Sequence, residues 1–401
     1  MCRTAPPTAS AQEYQALISM LDDVFFTNDS TSIAAGNAPD QQCGFMALLP
    51  KLYKEQYTPW EHNYVVREGD TLKAAVGMYV TECSVAGQAL RCGGIGNVAV
   101  TRDCRRKGYM KQAMDSAMRA MAAAGCDFGE LGGHRLRYQY WGFERGGAAI
   151  RMEFTRASVR HCFGEVDISD FNIIDLAEKP EYLPKLQALI ENAPMHAKHN
   201  PAMFYDLLCS WKTSPRIILH GDEIAAYFAL NREGTGMNDF HLFNADALPG
   251  VLNAIFALLP EDTNAFEVSV PMWERAFLAG AQRCAEWLHP DDAGQFTILN
   301  YERTLRALFA LQCGLKALPD GELIIKIVGT CEQFANRDET LRLCVKNQQS
   351  TVEPYDGAPD ITLPHIEAVR FFTGFTSPER VSPLANAWFP LPLFMYDMDK
   401  V

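Results

Sequence analysis

The chain has 401 residues, 36 of them basic and 49 acidic, so its formal net charge is −13, and this length predicts two or three domains. Hydrophobic residues make up 48% of the sequence, which is enough for packed cores and excludes a disordered or fibrous protein. The negative net charge argues against nucleic acid as a partner. It is compatible with a cationic substrate, although a negative charge more often serves only to keep a protein soluble.

The first part of the chain, residues 1–150, predicts an α+β unit. Apolar side chains recur at three- and four-residue steps from Tyr14 to Phe25, which indicates a helix with one buried face. Three strand-like runs separated by glycine turns then predict an antiparallel meander. These runs span residues 62–70, 71–85 and 89–100. A long helix over 106–124, ended by Gly125, and a short buried strand complete the unit.

The second part, residues 151–295, repeats this order weakly. A helical stretch leads to a hairpin with Gly221 and Asp222 at its turn, followed by a strand, a helix and another strand. The third part, residues 296–401, is a smaller α+β unit that opens with a helix. Its last segment is apolar, contains two prolines and ends in Asp397, Asp399 and the terminal carboxylate.

The most informative segment runs from Gly96 to Met110, where a strand leads through a basic turn into a helix. The first turn of a helix has unpaired N–H groups and a positive dipole end. Three cations at 105–107 add charge, and Gly108 lets a ligand approach the backbone closely. Cations at this end oppose the dipole by about 0.3–1 kcal/mol each. We therefore favour a pyrophosphate site over a merely solvated helix start.

The cysteines and histidines give no metal signature. The 12 cysteines are scattered and form no C-x-x-C pair, so we expect free thiols in a reducing compartment. His196 and His199 are interpreted as part of a solvated helix end, and no metal is expected. No run approaches the roughly 20 apolar residues of a membrane span. The N-terminal sequence has no apolar signal core, so we expect a cytoplasmic protein.

The strand–turn–helix segment resembles a known cofactor signature. Val98-x-Val100 followed by Arg105-x-x-Gly108-x-Met110 is similar to the acetyl-CoA motif of the GNAT superfamily of N-acetyltransferases. The superfamily usually has Gly or Ala where Met110 stands, a departure that leaves less room at the pyrophosphate. Further along the chain, residues 138–143 resemble its Tyr-x-x-x-Gly-Phe element.

The whole chain resembles one branch of that superfamily, the "enhanced intracellular survival" (Eis) type of aminoglycoside N-acetyltransferase. This resemblance implies an α+β protein with two tandem GNAT folds followed by a sterol-carrier-like α/β domain. It assigns residues 1–150 to a catalytic unit, residues 151–295 to a degenerate copy and residues 296–401 to the sterol-carrier-like domain. It also implies a trimer or hexamer, and acetyl-CoA as the acyl donor.

The resemblance further implies roles for individual residues. Tyr138 would be the general acid that protonates the departing thiolate, and the terminal carboxylate of Val401 would be the general base. The residues that would bind the cofactor are Val98, Ala99, Val100, Arg105, Arg106, Lys107, Gly108, Tyr109, Met110, Lys111, Gly133 and His134.

The residues themselves leave alternatives to these roles. A tyrosine, with a pKa near 10, is a reasonable acid toward a thiolate, but Tyr138 also fits a core aromatic. A terminal carboxylate is a weak base unless burial raises its pKa, and most chain ends are solvated. Glu130 and His134 could also accept a proton. In the second unit, the corresponding turn at 244–250 has no cation, so no cofactor is expected there.

The sequence therefore predicts an acetyl-CoA-dependent N-acetyltransferase that acts on primary amines of a small cationic molecule, either aminoglycoside-like or polyamine-like. One alternative is a lipid-binding or apolar-ligand-binding protein in which the third domain is the carrier. Another is a protein or peptide N-acetyltransferase with a shallow, open cleft.

Overall fold

A computed structural model describes residues 8–26, 44–234, 236–329 and 338–401. Its strands and helices are numbered in chain order within these ranges. Three of the cysteines, Cys2, Cys43 and Cys331, lie outside them, and the nine described cysteines are free thiols. No helix among the described residues is long and apolar enough to cross a membrane.

The structure contains strands in all three parts of the chain. They are β1 Asn63–Glu68, β2 Thr71–Val85, β3 Gln88–Val100, β4 Phe128–Leu131, β5 Glu144–Gly146, β6 Ala149–Thr155, β7 Phe171–Asp175, β8 Met195–Ala197, β9 Ser214–His220, β10 Glu223–Leu230, β11 Met237–Leu242, β12 Ala265–Pro271, β13 Trp287–Asp291, β14 Gly294–Ile298, β15 Gly321–Val328, β16 Glu339–Lys346, β17 Gln349–Pro354 and β18 Ile361–Pro364.

Helices connect and cover these strands. They are α1 Tyr14–Phe26, α2 Phe45–Leu48, α3 Pro50–Tyr53, α4 Pro59–His62, α5 Tyr109–Ala123, α6 Arg135–Tyr138, α7 Arg156–Phe163, α8 Leu183–Ile190, α9 Phe204–Leu208, α10 Leu248–Leu258, α11 Arg275–Ala281, α12 Tyr301–Leu315, α13 His365–Thr373 and α14 Pro383–Trp388. The predicted meander and the long helices are therefore present.

A seven-stranded sheet carries the first part of the chain. Its order is β1-β2-β3-β4-β14-β5, and β8 adds to β2. The strands β1, β2 and β3 form the predicted antiparallel meander, whereas β3 and β4 pair in parallel. Because side chains alternate along a strand, Val76 and Met78 of β2 face α5, whereas Ala75 and Tyr79 face α1. The sheet thus has two separate apolar faces.

Two strands lie across the predicted boundaries between the parts of the chain. β6 spans the boundary at residue 150 and pairs with β12 and β13 of the second part in a separate three-stranded sheet. β14 spans the boundary at residue 295, and it inserts between β4 and β5 of the first sheet. The second part also contains a four-stranded sheet ordered β11-β10-β9-β7. Its predicted hairpin is present, with Glu223 of β10 opposite His220 of β9.

The third part is a four-stranded sheet ordered β17-β16-β15-β18, in which β15 and β18 are parallel. Its interior is filled with aromatic side chains. Phe309 of α12, Phe371 of α13 and Trp388 of α14 are all fully buried, and the rings of Phe309 and Trp388 lie 5.1 Å apart.

Two local predictions are wrong. The helix α5 begins at Tyr109 and not at Arg106, because the backbone of Arg106 and Gly108 has positive φ angles of 67° and 81°. The cations therefore occupy the loop before the helix. The segment around His196 is strand β8, paired with β2, and not a helix end. Its neighbour His199 is buried.

Glu144 of β5 ties the first and third parts together. Its buried carboxylate accepts hydrogen bonds from Arg135 and from Arg370 of α13, the latter at 2.7 Å. Burial alone would raise the pKa of Glu144, but the hydrogen bonds from both arginines lower it to about 2. We expect Glu144→Gln to reduce the free energy of unfolding at pH 7 by about 3 kcal/mol, since one partner of a buried ion pair is lost.

The pH dependence of that variant tests the cause. A carboxyl with a lowered pKa in the folded state contributes its stability fully above its unfolded pKa of about 4.3, and loses it as the pH falls towards the folded pKa. The difference between wild type and Glu144→Gln in urea unfolding should therefore shrink from pH 5 towards pH 2. A constant difference would contradict the ionic origin.

Candidate active site

A cleft opens where β3 and β4 separate. The two strands pair only from Cys92 to Ile95 of β3, and β3 continues alone on this side to Val100. The cleft has a volume of about 920 Å³. It is lined by Val24, Val98, Val100, Cys104, Arg105, Arg106, Gly108, Tyr109, Met110, Lys111, His134, Arg137, Tyr140 and Trp141. Nine of the predicted cofactor residues therefore meet in one place.

The basic loop at the mouth of the cleft has unsatisfied charge. Arg105 and Arg106 are exposed, and among the described residues neither guanidinium forms an ion pair. The N–H groups in the first turn of α5 lack intrahelical acceptors. This arrangement fits a diphosphate, because it combines free guanidinium groups, backbone donors and a glycine without a side chain.

The other predicted cofactor residues lie elsewhere. Lys107 is exposed, and its Nζ pairs with Glu68 at 3.0 Å. Ala99 is buried on the opposite face of β3, among the residues that α1 covers. Gly133 does not line the cleft, and its carbonyl accepts a hydrogen bond from Gln295 of β14 at 2.6 Å.

Tyr138, the predicted acid, ends helix α6 beside the cleft. Its ring is 6% exposed and belongs to the apolar cluster under α5. It lies beneath Gly133, where an added Cβ would approach Cε2 of the tyrosine to 3.1 Å. Burial raises the pKa of Tyr138, which keeps the phenol protonated at neutral pH.

Val401, the predicted base, lies on the other face of the sheet. Its side chain packs against β3, where a Cβ added at Gly94 or Gly96 would come within 2.3 or 2.4 Å of its methyl carbons. The side chain of Val401 therefore requires glycine at both positions. β3 is unpaired on the β4 side beyond Ile95, so Gly96, which contacts Val401, lies at the start of the gap between these strands.

A second cavity, of about 490 Å³, has the terminal residue in its wall. Its acidic lining consists of Glu130, Asp291, Asp292, Asp397 and the end of the chain at Val401. Arg145 and Lys400 supply the basic groups, and the Nζ of Lys400 pairs with Asp397 at 2.8 Å. Acidic groups thus outnumber basic ones, whereas the cleft on the other side of the gap is basic.

Glu130 links the sheet to the end of the chain. Its carboxylate is 3% exposed, and Oε1 accepts the backbone N–H of Val401 at 3.1 Å. Burial raises the pKa of Glu130 to about 7, although the hydrogen bond from Val401 opposes this shift. Sequence reasoning noted Glu130 as a possible base but could not detect this contact.

Three further residues that hold the chain end were missed by the sequence analysis: Lys51, His199 and Asp239. Each is buried. The only local sequence signal for these contacts was Lys51, which stands within the apolar segment LLPKLY, because a buried cation needs polar or charged partners. Among the described residues, no group of three or more His, Cys, Asp or Glu side chains could hold a metal ion.

The second unit differs at the position that corresponds to the basic loop. The side chain of Asn244 accepts the backbone N–H of Asp246 at 3.1 Å and so caps the turn before α10. On α10 itself, Gly250 packs closely on the ring of Phe171. This helix start is thus occupied by the protein's own side chains, with Asp246 as its charged residue.

Comparison with known proteins identifies the first unit. Residues 7–138 match the family model described as "Acetyltransferase (GNAT) domain". The chain therefore carries a GNAT acetyltransferase domain, and it is an acetyltransferase. No curated protein sequence matches the chain.

Solved structures share the fold over the whole length. A GCN5-related N-acetyltransferase from Anabaena variabilis has 14% identity and a TM-score of 0.66, with 98% of this chain and 99% of that chain covered. A probable N-acyltransferase from Enterococcus faecalis has 11% identity, a TM-score of 0.67 and 98% coverage of both chains. Eis1 from Mycobacterium abscessus has 13% identity and a TM-score of 0.63, with 98% and 99% covered. The predicted tandem GNAT fold is thereby confirmed.

Proposed function

We propose that the protein transfers the acetyl group of acetyl-CoA to a primary amine of a small cationic molecule, with Val401 as general base and Tyr138 as general acid. The observation that carries this proposal is the fixed, partly buried position of Val401. The terminal residue lines the acidic cavity and packs on Gly94 and Gly96 of β3, where that strand separates from β4. Most chain ends are solvated, so a terminus held in place in this way indicates a function.

The residues of the cleft fit the acyl donor. Arg105, Arg106 and the first turn of α5 would bind the diphosphate. The free edge of β3 at 98–100 would pair with the pantetheine arm, as an added strand does. Acetyl-CoA supplies an activated acetyl thioester, and the acetyl end would reach the gap beside Gly96.

Val401 and Tyr138 would each carry out one proton transfer. As the amine nitrogen bonds to the thioester carbonyl carbon, the terminal carboxylate of Val401 takes a proton from that nitrogen. As the carbon–sulfur bond breaks, Tyr138 gives its phenolic proton to the leaving thiolate. The products are an acetamide and free coenzyme A, and each group is then reset by exchange with water.

The acidic cavity supports a cationic acceptor. A polyamine or aminoglycoside carries several ammonium groups, and carboxylates that line an enclosed site attract them. The rival carrier function expects an open apolar tunnel in the third part of the chain. Phe309, Phe371 and Trp388 instead fill the interior between α12, α13 and α14, which favours the transferase.

A panel assay tests the proposal. Acetyl-CoA consumption should be measured with kanamycin, spermidine, a lysine-rich peptide and glycine methyl ester, and products identified by mass spectrometry. We expect acetylation of the two polycationic small molecules. Acetylation of the peptide alone would favour the peptide acetyltransferase alternative, and copurifying lipid without calorimetric binding of acetyl-CoA would favour the carrier.

The basic loop gives a separate prediction. We expect the double variant Arg105→Gln, Arg106→Gln to raise KM for acetyl-CoA by about 10- to 100-fold with little change in kcat, because hydrogen bonds to charged groups contribute about 1.5–3 kcal/mol. Arg102→Gln, on the same loop but outside the cleft lining, is the control. Equal KM values for all three proteins would refute the assigned diphosphate site.

The remaining features of the proposal concern assembly and the other two units. We propose that residues 151–295 and 296–401 wall the acceptor cavity, since Asp291 and Asp397 line it. Light scattering of the purified protein would test the expected trimer or hexamer, and fractionation of the host cell would test the expected cytoplasmic location.

A further inference from the structure

The last five residues of the chain are held by buried polar side chains from four separate segments. Asp239 of β11 accepts the backbone N–H groups of Asp397 and Met398 at 2.8 and 3.0 Å. His199 pairs through Nε2 with the carboxylate of Asp399 at 2.8 Å. Both His199 and Asp239 are at most 9% exposed. The chain end is thus docked in a specific site.

The final peptide group is held at both of its polar atoms. The Nζ of Lys51 donates to the carbonyl oxygen of Lys400 and also to that of Met398, each at 2.5 Å. The N–H of the same peptide group, which belongs to Val401, donates to Glu130 at 3.1 Å. Lys51 is 2% exposed. The plane of the peptide bond before the terminal carboxylate is therefore fixed.

The side chain of Val401 removes the remaining freedom. Its methyl groups pack onto the surface left by Gly94 and Gly96, which restrains the Cα atom that carries the carboxylate. A catalytic group must be held close to its productive geometry to be effective. The contacts to the peptide plane and to the side chain together provide such restraint.

Burial of these charges is costly and so points to a purpose other than stability. Burial lowers the pKa of Lys51 to about 8, although the carboxylates of Asp399 and Glu130 oppose the shift. Replacing buried ionic groups by apolar ones is often neutral or stabilising, whereas ionic groups can specify one arrangement. A lysine whose two donated hydrogen bonds both go to the chain terminus fits the second role.

We propose that Lys51 and Glu130 are positioning residues for the terminal carboxylate: they hold the last peptide group by its carbonyl and its N–H, and so aim the base at the gap between β3 and β4. This inference rests on the proposed function, because it assumes that the carboxylate of Val401 accepts the proton. Glu130 acts in it as a hydrogen-bond acceptor and not as the base.

Variants of both residues separate positioning from other roles. Lys51→Met removes the donors, whereas Lys51→Arg keeps them. Glu130→Leu removes the acceptor, whereas Glu130→Gln keeps a carbonyl oxygen but cannot take a proton at neutral pH. Lys54→Met is the matched control, because Lys54 lies one turn away and pairs with Asp206 outside the chain end.

The first measurement tests how firmly the end of the chain is held, and it needs no acceptor amine. Carboxypeptidase release of Val401 from the folded, full-length protein should be about tenfold faster in Lys51→Met and Glu130→Leu, if loss of one buried hydrogen-bond partner frees the terminus. Lys51→Arg, Glu130→Gln and Lys54→Met should resemble wild type. Circular dichroism and thermal unfolding identify any variant that fails to fold.

The second measurement is turnover with kanamycin or spermidine as acceptor. We expect Lys51→Met and Glu130→Leu to lower kcat by about 10²-fold, the lower range for loss of a positioned base, with KM for acetyl-CoA changed by less than about threefold. Glu130→Gln should retain most of kcat and the wild-type pH profile. If Glu130→Gln lowers kcat as much as Glu130→Leu does, the positioning role is overturned and Glu130 is the base.

The failure of this inference and that of the proposed function are distinguishable. If Lys51→Met and Glu130→Leu release Val401 at the wild-type rate and keep the wild-type kcat, the positioning role is refuted, whichever group is the base. A chain extended beyond Val401 that turns over normally would instead refute the terminal carboxylate as base, and with it the assumption on which the positioning role depends.

Discussion

Extension of the chain by two glycines after Val401 should lower kcat by about 10²–10⁴-fold, the contribution expected of a general base. The extension converts the carboxylate of Val401 into an amide, which cannot accept a proton at neutral pH. The new residues have room, because the adjoining cavity has a volume of about 490 Å³. Since the donor cleft lies across the gap, KM for acetyl-CoA should change little.

Two controls make this result specific. Val401→Ala keeps the terminal carboxylate but removes the methyl groups that pack on Gly94 and Gly96, and it should lower kcat far less than the extension. Calorimetric titration with acetyl-CoA should give the same affinity for all three proteins. If the extended protein keeps kcat within about twofold of wild type, the base lies elsewhere, and Glu130 is the first residue to test.

The parts of the site that sequence predicts are those built by neighbouring residues. The strand, basic turn and helix of 98–111 are continuous in the chain, so their order alone brings eight predicted cofactor residues into one cleft. Even here the sequence treats Lys107 like Arg105 and Arg106. The difference arises from Glu68 at the end of β1, which pairs with Lys107 and is distant in sequence.

The acceptor side could not be predicted, because its contacts join remote segments. Lys51 donates a hydrogen bond to the carbonyl of Lys400, which is almost at the other end of the sequence. Glu130 of β4 accepts the backbone N–H of Val401. No periodicity or local motif encodes such pairs. Family resemblance supplied the proposed role of Val401, but not the side chains that hold this residue.

The place of β14 in the first sheet could not be predicted for a similar reason. The sequence of 294–298 predicts a strand but not its partners, since apolar alternation shows that a strand is present and does not show which sheet it joins. In the structure β14 fills the place beside β4 and brings Gln295 to the carbonyl of Gly133. The first sheet is therefore completed by a strand that lies about 150 residues further along the chain than β5.

Replacement of Tyr138 by Phe tests the acid. We expect kcat to fall by about 10²-fold, the lower range for loss of general acid catalysis, with KM for acetyl-CoA nearly unchanged. Phe keeps the ring that packs under Gly133, so the fold should be preserved and only the proton donor lost. Burial raises the pKa of Tyr138, so the wild-type phenol remains protonated across the neutral range.

Tyr140→Phe provides the comparison, because Tyr140 lines the cleft beside which Tyr138 is buried, and Tyr140 is 52% exposed. Its substitution removes a phenol from the cleft without touching the buried position, and should change kcat by no more than about threefold, as for a surface substitution. Steady-state kinetics at saturating acetyl-CoA, with thermal unfolding of each variant, separate the two residues. Equal losses in both variants, or a change confined to KM in Tyr138→Phe, would show that the buried ring serves packing or binding, since loss of an interaction made only in the transition state lowers kcat and leaves KM unchanged.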